Sequence, residues 1–210
     1  MISIDNKIMN LVKEGRVTEA KRCLNTVVQN TSNSSERLSA LYIYRKLAPK
    51  LELVDFRIAF LSSITIDPLI PYLELEAFAE GINLDTYVAP FNSFELELLN
   101  NNSKIHKFKP HLIIVYLRGE EINPDIYDLF TSILSSSRNQ LKKEIIERQK
   151  HILEIIQSNF SATILISNFP KPINPAYGFL DSSMPNSHLY FIHNLNESLA
   201  KLVKTYDDTY

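Results

Sequence analysis

The chain has 210 residues, 45% of them apolar, enough for one sizeable hydrophobic core and a small helical appendage. Its 22 Lys and Arg residues nearly balance its 24 Asp and Glu residues, which argues against nucleic acid and acidic membrane surfaces as partners. A single cysteine excludes an internal disulfide and a cysteine-based zinc site. Because the sequence also has no signal-like or membrane-spanning apolar segment, it predicts a cytoplasmic protein.

Residues 1–50 are predicted to form an N-terminal helical extension. Apolar residues at helical spacing predict two short helices over 4–13 and 17–29. This helical hairpin looks like half of a tetratricopeptide-type repeat, but one hairpin cannot bury its own apolar face. We therefore expect it to pack on the main domain, and a protein-interaction module is the alternative. A third helix is predicted over 36–47, ahead of a proline.

Residues 51–210 are predicted to form one α/β domain. Four apolar runs are separated by helical segments, and each run is apolar on both faces, as in parallel strands that helices cover. The runs lie at 56–61, 84–89, 112–117 and 163–167. The fold class is therefore predicted as α/β, with an open, mostly parallel, doubly wound sheet that follows the N-terminal helical extension.

The last third of the chain contains the remaining predicted helices. The third crossover is predicted as two helices, 125–134 and 140–156, separated by a serine run. A final helix over 189–206 is predicted to lie on the sheet, where a further strand normally follows. Residues 204–210 are too short and polar to be that strand, so we expect a sheet truncated at its last strand and a chain that is a clipped piece of a longer protein. The uncovered edge would favour pairing with another strand, as in a homodimer or an interdomain contact.

The turn after the first predicted strand carries the main functional signal. That strand ends in Ser62 and Ser63, and Asp67 and Pro68 are predicted to supply the N-cap and a first-turn proline of the next helix. In open α/β sheets, ligands and catalytic groups lie at the carboxyl ends of strands. The pattern therefore predicts a nucleophile or an anion site, and the alternative is that the hydroxyls only satisfy backbone groups of the turn.

Four further polar residues are predicted to contact a ligand at the same edge of the sheet. Thr65 lies in the same turn, and Asn92 follows the second strand and also caps a short helix. Arg118 leaves the third strand, where its guanidinium would bind a phosphate or carboxylate, or would pair with one of the glutamates that follow. Asn168 follows the fourth strand, and the proline-rich loop 169–178 is expected to cover the site as a stiff lid.

Neither a metal nor a cofactor is predicted. None of the five histidines belongs to a pair with metal-ligand spacing and a convincing third partner. The chain has only four glycines and carries no dinucleotide or P-loop fingerprint, so it lacks the loops that cradle phosphate groups.

The chain resembles the N-terminal domain of FkbH-type proteins over residues 56–206. The resemblance lies in the segments IAFLSSITIDPLIPYLELEAFAEGINLDTYVAPFNSFELELL, KFKPHLIIVYLRGEE and GFLDSSMPNSHLYFIHNLNESLAKL. It implies an SGNH-hydrolase-like, flavodoxin-like fold followed by a haloacid-dehalogenase-type (HAD-type) domain. In polyketide pathways the whole protein of that family moves a glyceryl unit from a glycolytic phosphate ester onto an acyl carrier protein. The DxDxT segment on which HAD-type phosphoryl chemistry depends is missing here.

The SGNH resemblance also implies a position for each catalytic group. The segment LSSIT matches the pattern GDSIT at its last three residues, which places Ser63 in the nucleophile position. Where the pattern GxND would supply an oxyanion-binding asparagine after the third strand, the sequence reads RGEE, residues 118–121. The terminal DxxH, which would supply the base, is absent.

Two functions of different classes follow from the resemblance, besides the interaction module above. The first is an accessory role, in which the domain positions an acyl carrier protein or a HAD-type domain for glyceryl or acyl transfer done elsewhere. The second is an SGNH-type esterase or acyltransferase with Ser63 as its nucleophile.

Overall fold

The computed structural model describes residues 4–31, 33–90 and 94–210. Its first helices form the N-terminal part of the chain, and strands and helices then alternate. The helices are α1 (Ile4–Lys13), α2 (Val17–Asn30), α3 (Ser34–Leu47), α4 (Ile70–Ala79), α5 (Phe94–Leu99), α6 (Lys104–Phe108), α7 (Gly119–Ile122), α8 (Asp125–Asp128), α9 (Ser135–Asn159) and α10 (His188–Val203). The strands are β1 (Val54–Ser62), β2 (Ile82–Val88), β3 (Leu112–Tyr116) and β4 (Thr163–Ile166).

The four strands form an open, all-parallel sheet in the order β2-β1-β3-β4. In the pairing of β3 with β4, Leu112 lies opposite Thr163 and Val115 lies opposite Ile166. The predicted α/β class, with a parallel sheet that follows N-terminal helices, is confirmed.

The C-terminal residues pair with the free side of β4. The Ile164 amide donates to the Asp208 carbonyl, the Tyr210 amide to the Ile164 carbonyl and the Ile166 amide to the Tyr210 carbonyl, each at 2.9 Å. These bonds make a parallel bridge between Ile164 and Thr209. As expected, 204–210 does not form a further strand, and the sheet has four strands. Its last residues still make this isolated bridge, because the ladder uses backbone groups, which every residue except proline carries whatever its side chain.

Two local predictions are wrong. Helix α4 begins at Ile70 with Leu69 in the N-cap position, so Asp67 does not cap it. The serine run at 135–137 does not interrupt a helix but begins one, because α9 continues without a break from Ser135 to Asn159.

The chain divides into two compact units, Met1–Ile58 with Thr65–Thr86 and Ala59–Ile64 with Tyr87–Tyr210. In the first unit the apolar face of the α1–α2 hairpin packs on α3 and on Leu75 and Phe78 of α4. Leu24 of α2, for example, is fully buried in this cluster. The predicted domain boundary after residue 50 stays a prediction.

The second unit has two apolar clusters. One joins the strands to the last turns of α9, with Leu61, Ile113 and Ile164 packed against Ile152 and Ile156. In the other cluster, the buried apolar side chains of α10 pack against Phe130 and the residues near it. Among the described helices, none has the length and apolar character needed to cross a membrane.

Candidate functional site

The turn after β1 buries both predicted serines. Ser62 is 3% exposed and Ser63 is 6% exposed. The Ser62 hydroxyl donates to the Ile64 carbonyl and accepts from the Ile64 amide, both at 3.1 Å. Ser62 therefore stabilises its own turn, in the way that serine side chains commonly satisfy nearby backbone groups.

Ser63 ties this turn to the residues that follow β3. Its amide donates to the Tyr116 carbonyl at 3.1 Å. Its Oγ accepts the Arg118 amide at 2.8 Å. The amide and the hydroxyl oxygen of Ser63 are thus bonded to backbone groups at the end of β3 and just after it, and the Ser63 N–H is not free to bind an oxyanion.

Arg118 forms an ion pair with Glu120. Their Nη2 and Oε1 atoms are 3.2 Å apart, and the Arg118 side chain is 48% exposed. Burial acts to raise the pKa of Glu120, but the hydrogen bond from Arg118, a backbone hydrogen bond and the nearby positive charge together outweigh it, and the pKa lies below its ordinary value. Of the two roles predicted for Arg118, the structure shows pairing with glutamate, while ligand binding stays a prediction.

The other carboxylate oxygen of Glu120 does not take part in this ion pair. Oε2 is buried and has no hydrogen-bond partner among the described residues. A buried carboxylate oxygen without a donor is costly, and the ion pair with Arg118 and the backbone hydrogen bond of Glu120 offset that cost.

Gly119 permits a close approach of Tyr127 at the same place. A Cβ atom at Gly119 would lie 2.1 Å from Tyr127 Cε2. The Tyr127 hydroxyl donates to the Pro170 carbonyl at 3.0 Å, which joins the exit of β3 to the loop after β4. Burial of the phenol, and then the negative charge of Glu120, raise the pKa of Tyr127 above its usual range.

Three predicted ligand residues remain, Thr65, Asn92 and Asn168. Thr65 is exposed and belongs to the first compact unit, whereas Ser62 and Ser63 belong to the second. Asn168 is exposed and lines a cavity of about 350 Å³, and Tyr210 also lines this cavity. Asn92 lies outside the described residues. The structure therefore brings Ser63 into contact with Arg118, and does so through the backbone of Arg118.

A buried polar cluster at the start of α9 and α10 was not predicted. Arg138 is 7% exposed and donates to the carbonyls of Ile133 and Asn186 and to the Tyr177 hydroxyl. Its guanidinium carbon lies 4.2 Å from the centre of the Phe130 ring, a cation–π contact. Arg138 therefore fastens the loop before α10 to the beginning of α9.

Asp181 and His188 complete the cluster. The Asp181 carboxylate accepts the amides of Tyr177 and His188, both at 3.3 Å, and of Leu189 at 2.8 Å. Burial acts to raise the pKa of Asp181, but these backbone donors and a hydrogen bond from the Ser187 side chain outweigh it, and the pKa is lowered. His188 is fully buried, is stacked 4.4 Å from Phe130, and accepts the Ala176 amide at Nδ1.

Sequence reasoning missed both Tyr127 and this cluster. Gly119 was a usable signal for the first, because an isolated glycine at a strand end often marks a close approach. The cluster gives no such signal, since the partners Tyr177 and Asn186 lie 39 and 48 residues from Arg138 along the chain. Among the described residues, no group of three or more His, Cys, Asp and Glu is placed to hold a metal ion.

Comparison with known proteins gives one family and one similar structure. The model of the FkbH N-terminal domain matches residues 57–210. A crystal structure of the N-terminal part of the protein BF1531 from Bacteroides fragilis, containing a phosphatase domain complexed with Mg, is similar with a TM-score of 0.59 and 15% identity. The likeness covers 89% of this chain but only 43% of that one, and at this identity it shows the fold alone. Among the curated proteins compared with the chain, none matches it.

Proposed function

The chain belongs to the FkbH N-terminal domain family, and from this premise we propose that it is an accessory domain. In this role it positions an acyl carrier protein or a HAD-type domain for glyceryl or acyl transfer that other groups perform. We propose a cytoplasmic location for it, which the single cysteine supports.

The bonding of Ser63 is the observation that carries this proposal. A serine nucleophile needs a base at its hydroxyl and amide donors free for the developing oxyanion. Here the hydroxyl oxygen accepts the Arg118 amide and the Ser63 amide is spent on the Tyr116 carbonyl. Ser63 thus connects the end of β1 to the end of β3.

The charge near Ser63 supports the same role. The family pattern places an asparagine donor after the third strand, and Glu120 and Glu121 stand in that stretch of this chain. The lowered pKa of Glu120 keeps it ionised at neutral pH, and a carboxylate repels an oxyanion. The esterase alternative therefore lacks support from this geometry.

The hairpin alternative is also less well supported. The apolar side chains by which α1 and α2 would capture a partner are already buried against α3 and α4. That surface contributes to the core of the first compact unit.

Hydrolysis of short acyl esters distinguishes the accessory role from the esterase. We would measure turnover of p-nitrophenyl acetate and butyrate by the wild-type chain, by Ser63→Ala and by the matched control Ser62→Ala. The accessory role predicts that no chain exceeds the buffer rate. Wild-type turnover that falls by about a hundredfold in Ser63→Ala but persists in Ser62→Ala would establish the esterase instead.

A further inference from the structure

Side chains of two helices hold the loop that follows β4. The Tyr127 hydroxyl of α8 donates to the Pro170 carbonyl at 3.0 Å. Six residues later, the Ala176 amide donates to Nδ1 of His188, the first residue of α10, at 3.3 Å. We call residues 170–176 the proline loop, after its three prolines. Its two ends are thus fastened to two different helices.

The two side chains that hold the proline loop also contact each other. The ring centres of Tyr127 and His188 are 6.1 Å apart, in an edge-to-face arrangement. Tyr127 in turn lies against Gly119, where a Cβ atom would come within 2.1 Å of its ring. The contacts therefore run without a break from His188 to the exit of β3, and a movement of His188 loosens both ends of the loop.

The hydrogen bond from Ala176 determines which nitrogen of His188 carries the proton. A neutral imidazole has one N–H donor and one acceptor nitrogen. Because Nδ1 accepts the Ala176 amide, we assign the proton to Nε2. A second proton would go to Nδ1, where it would face the Ala176 N–H, and two donors cannot bond to each other. Protonation of His188 therefore breaks this attachment of the proline loop.

The surroundings of His188 also disfavour a positive charge on its ring. The residue is fully buried, and it begins α10, where the helix dipole is positive. Burial lowers the pKa of His188, the positive charge of Arg138 on α9 lowers it further, and the carboxylate of Asp181 partly offsets both. The closed structure therefore holds His188 in its neutral form at neutral pH.

Of the titratable groups placed around this ring, His188 is the one whose charge changes near pH 6.5. Burial acts to raise the pKa of Asp181, but its hydrogen bonds outweigh this and keep it ionised. Tyr127 stays neutral, because burial and then the charge of Glu120 raise its pKa. The guanidinium of Arg138 is charged throughout this range.

We propose that Tyr127 and His188 form a proton-sensitive latch, which holds the proline loop at neutral pH and releases it when His188 is protonated. Release frees Pro170 from Tyr127, which lies beside Gly119, so the exit of β3 becomes accessible in acid. This regulation does not depend on the accessory role.

The size of the effect follows from the two states of the loop. In the released state His188 is in water and binds a proton with the ordinary histidine pKa of about 6.5, whereas the closed state binds it only at lower pH. Lowering the pH from about 7.5 to about 5.5 should therefore raise the population of the released loop about tenfold.

Hydrogen exchange at the Ala176 amide tests the latch. Its protection, relative to an unstructured peptide at the same pH, is measured at both pH values in wild type, His188→Asn and His193→Asn. The asparagine oxygen at position 188 accepts the Ala176 amide but does not titrate. His193 is exposed on the same helix and gives the matched control. The amide of the fully buried Ile152 in α9 reports unfolding of the whole unit.

We expect the protection of the Ala176 amide to fall about tenfold in wild type and in His193→Asn, and to stay constant within about twofold in His188→Asn. It should also remain below the protection of Ile152, because the loop opens locally. If His188→Asn does not fold, His188→Gln takes its place. Constant protection in wild type, or an equal fall in the folded position-188 variant, would overturn the latch. Equal protection of Ala176 and Ile152 at the lower pH would overturn it as well.

Discussion

Replacing Gly119 by alanine tests how closely the exit of β3 is packed. Gly119 begins the short helix α7 and is buried. An added Cβ would lie 2.1 Å from Tyr127 Cε2, 2.8 Å from Cζ and 2.7 Å from the hydroxyl oxygen. Carbon atoms that are not bonded attract one another best at about 3.5–4.0 Å, so the Tyr127 ring must move away.

The expected loss of stability comes from displacing the Tyr127 ring. Overpacking of this kind costs about 1–3 kcal/mol. Displacement of Tyr127 also breaks the hydrogen bond from its hydroxyl to the Pro170 carbonyl, worth about 1 kcal/mol. Together we expect a loss of about 2–4 kcal/mol, which for a chain of this size is roughly 4–16 °C in Tm.

Urea unfolding followed by circular dichroism and tyrosine fluorescence measures this loss. The control is the same Gly119→Ala change in a Tyr127→Ala background, where the added methyl group has room. There we expect almost no cost, because alanine favours a helix over glycine by about 1 kcal/mol. A loss below about 0.5 kcal/mol for Gly119→Ala alone, or an equal loss in both backgrounds, would refute the packing described for Tyr127.

Three further changes have defined outcomes. Burial lowers the pKa of His188 below its ordinary value, and the negative charge of Asp181 partly offsets this. The unfolded chain therefore binds one more proton than the folded chain. The free energy of unfolding should fall as pH drops below about 6.5, by at most about 1.4 kcal/mol per pH unit. The slope should be smaller in His188→Gln when the free energy of unfolding is measured from pH 7.5 to 5.5, and an unchanged slope would contradict this reasoning. Leu24→Ala should cost about 2–5 kcal/mol, against less than about 0.5 kcal/mol for the 54% exposed Leu38→Ala in the same urea assay; equal losses would mean that the hairpin is not core. Arg138→Met should speed hydrogen exchange in residues 178–184 at least tenfold, because it removes the donors to the Asn186 carbonyl and the Tyr177 hydroxyl. Unchanged exchange would show that other contacts hold this loop in place.

The strands were the part of the fold that the sequence predicted best. Each apolar run lies within two residues of an observed strand, since burial on both faces leaves a continuous apolar signal. The serine run at 135–137 was harder to interpret, because serine is common both in loops and at helix beginnings. The pairing of Thr209 with Ile164 leaves almost no trace in side-chain pattern, because it is made by the backbone.

The candidate site was predictable only where the parallel topology dictates neighbours. Ser63 and Arg118 follow two strands that end at one edge of the sheet, and they are in contact, 55 residues apart in sequence. The sequence could not tell that the contact uses the amide of Arg118 and leaves its guanidinium to Glu120. Whether either residue also touches a ligand stays a prediction.

Binding of an acyl carrier protein tests the accessory role most directly. We would titrate a fluorescently labelled carrier protein, purified from the cells that produce the chain, with wild type and Ser63→Ala. The account predicts saturable binding by wild type with a Kd in the micromolar range and the same Kd, within about threefold, for folded Ser63→Ala, because Ser63 serves the strand junction. If wild type shows no binding at millimolar concentration, or if folded Ser63→Ala loses binding, the account is contradicted.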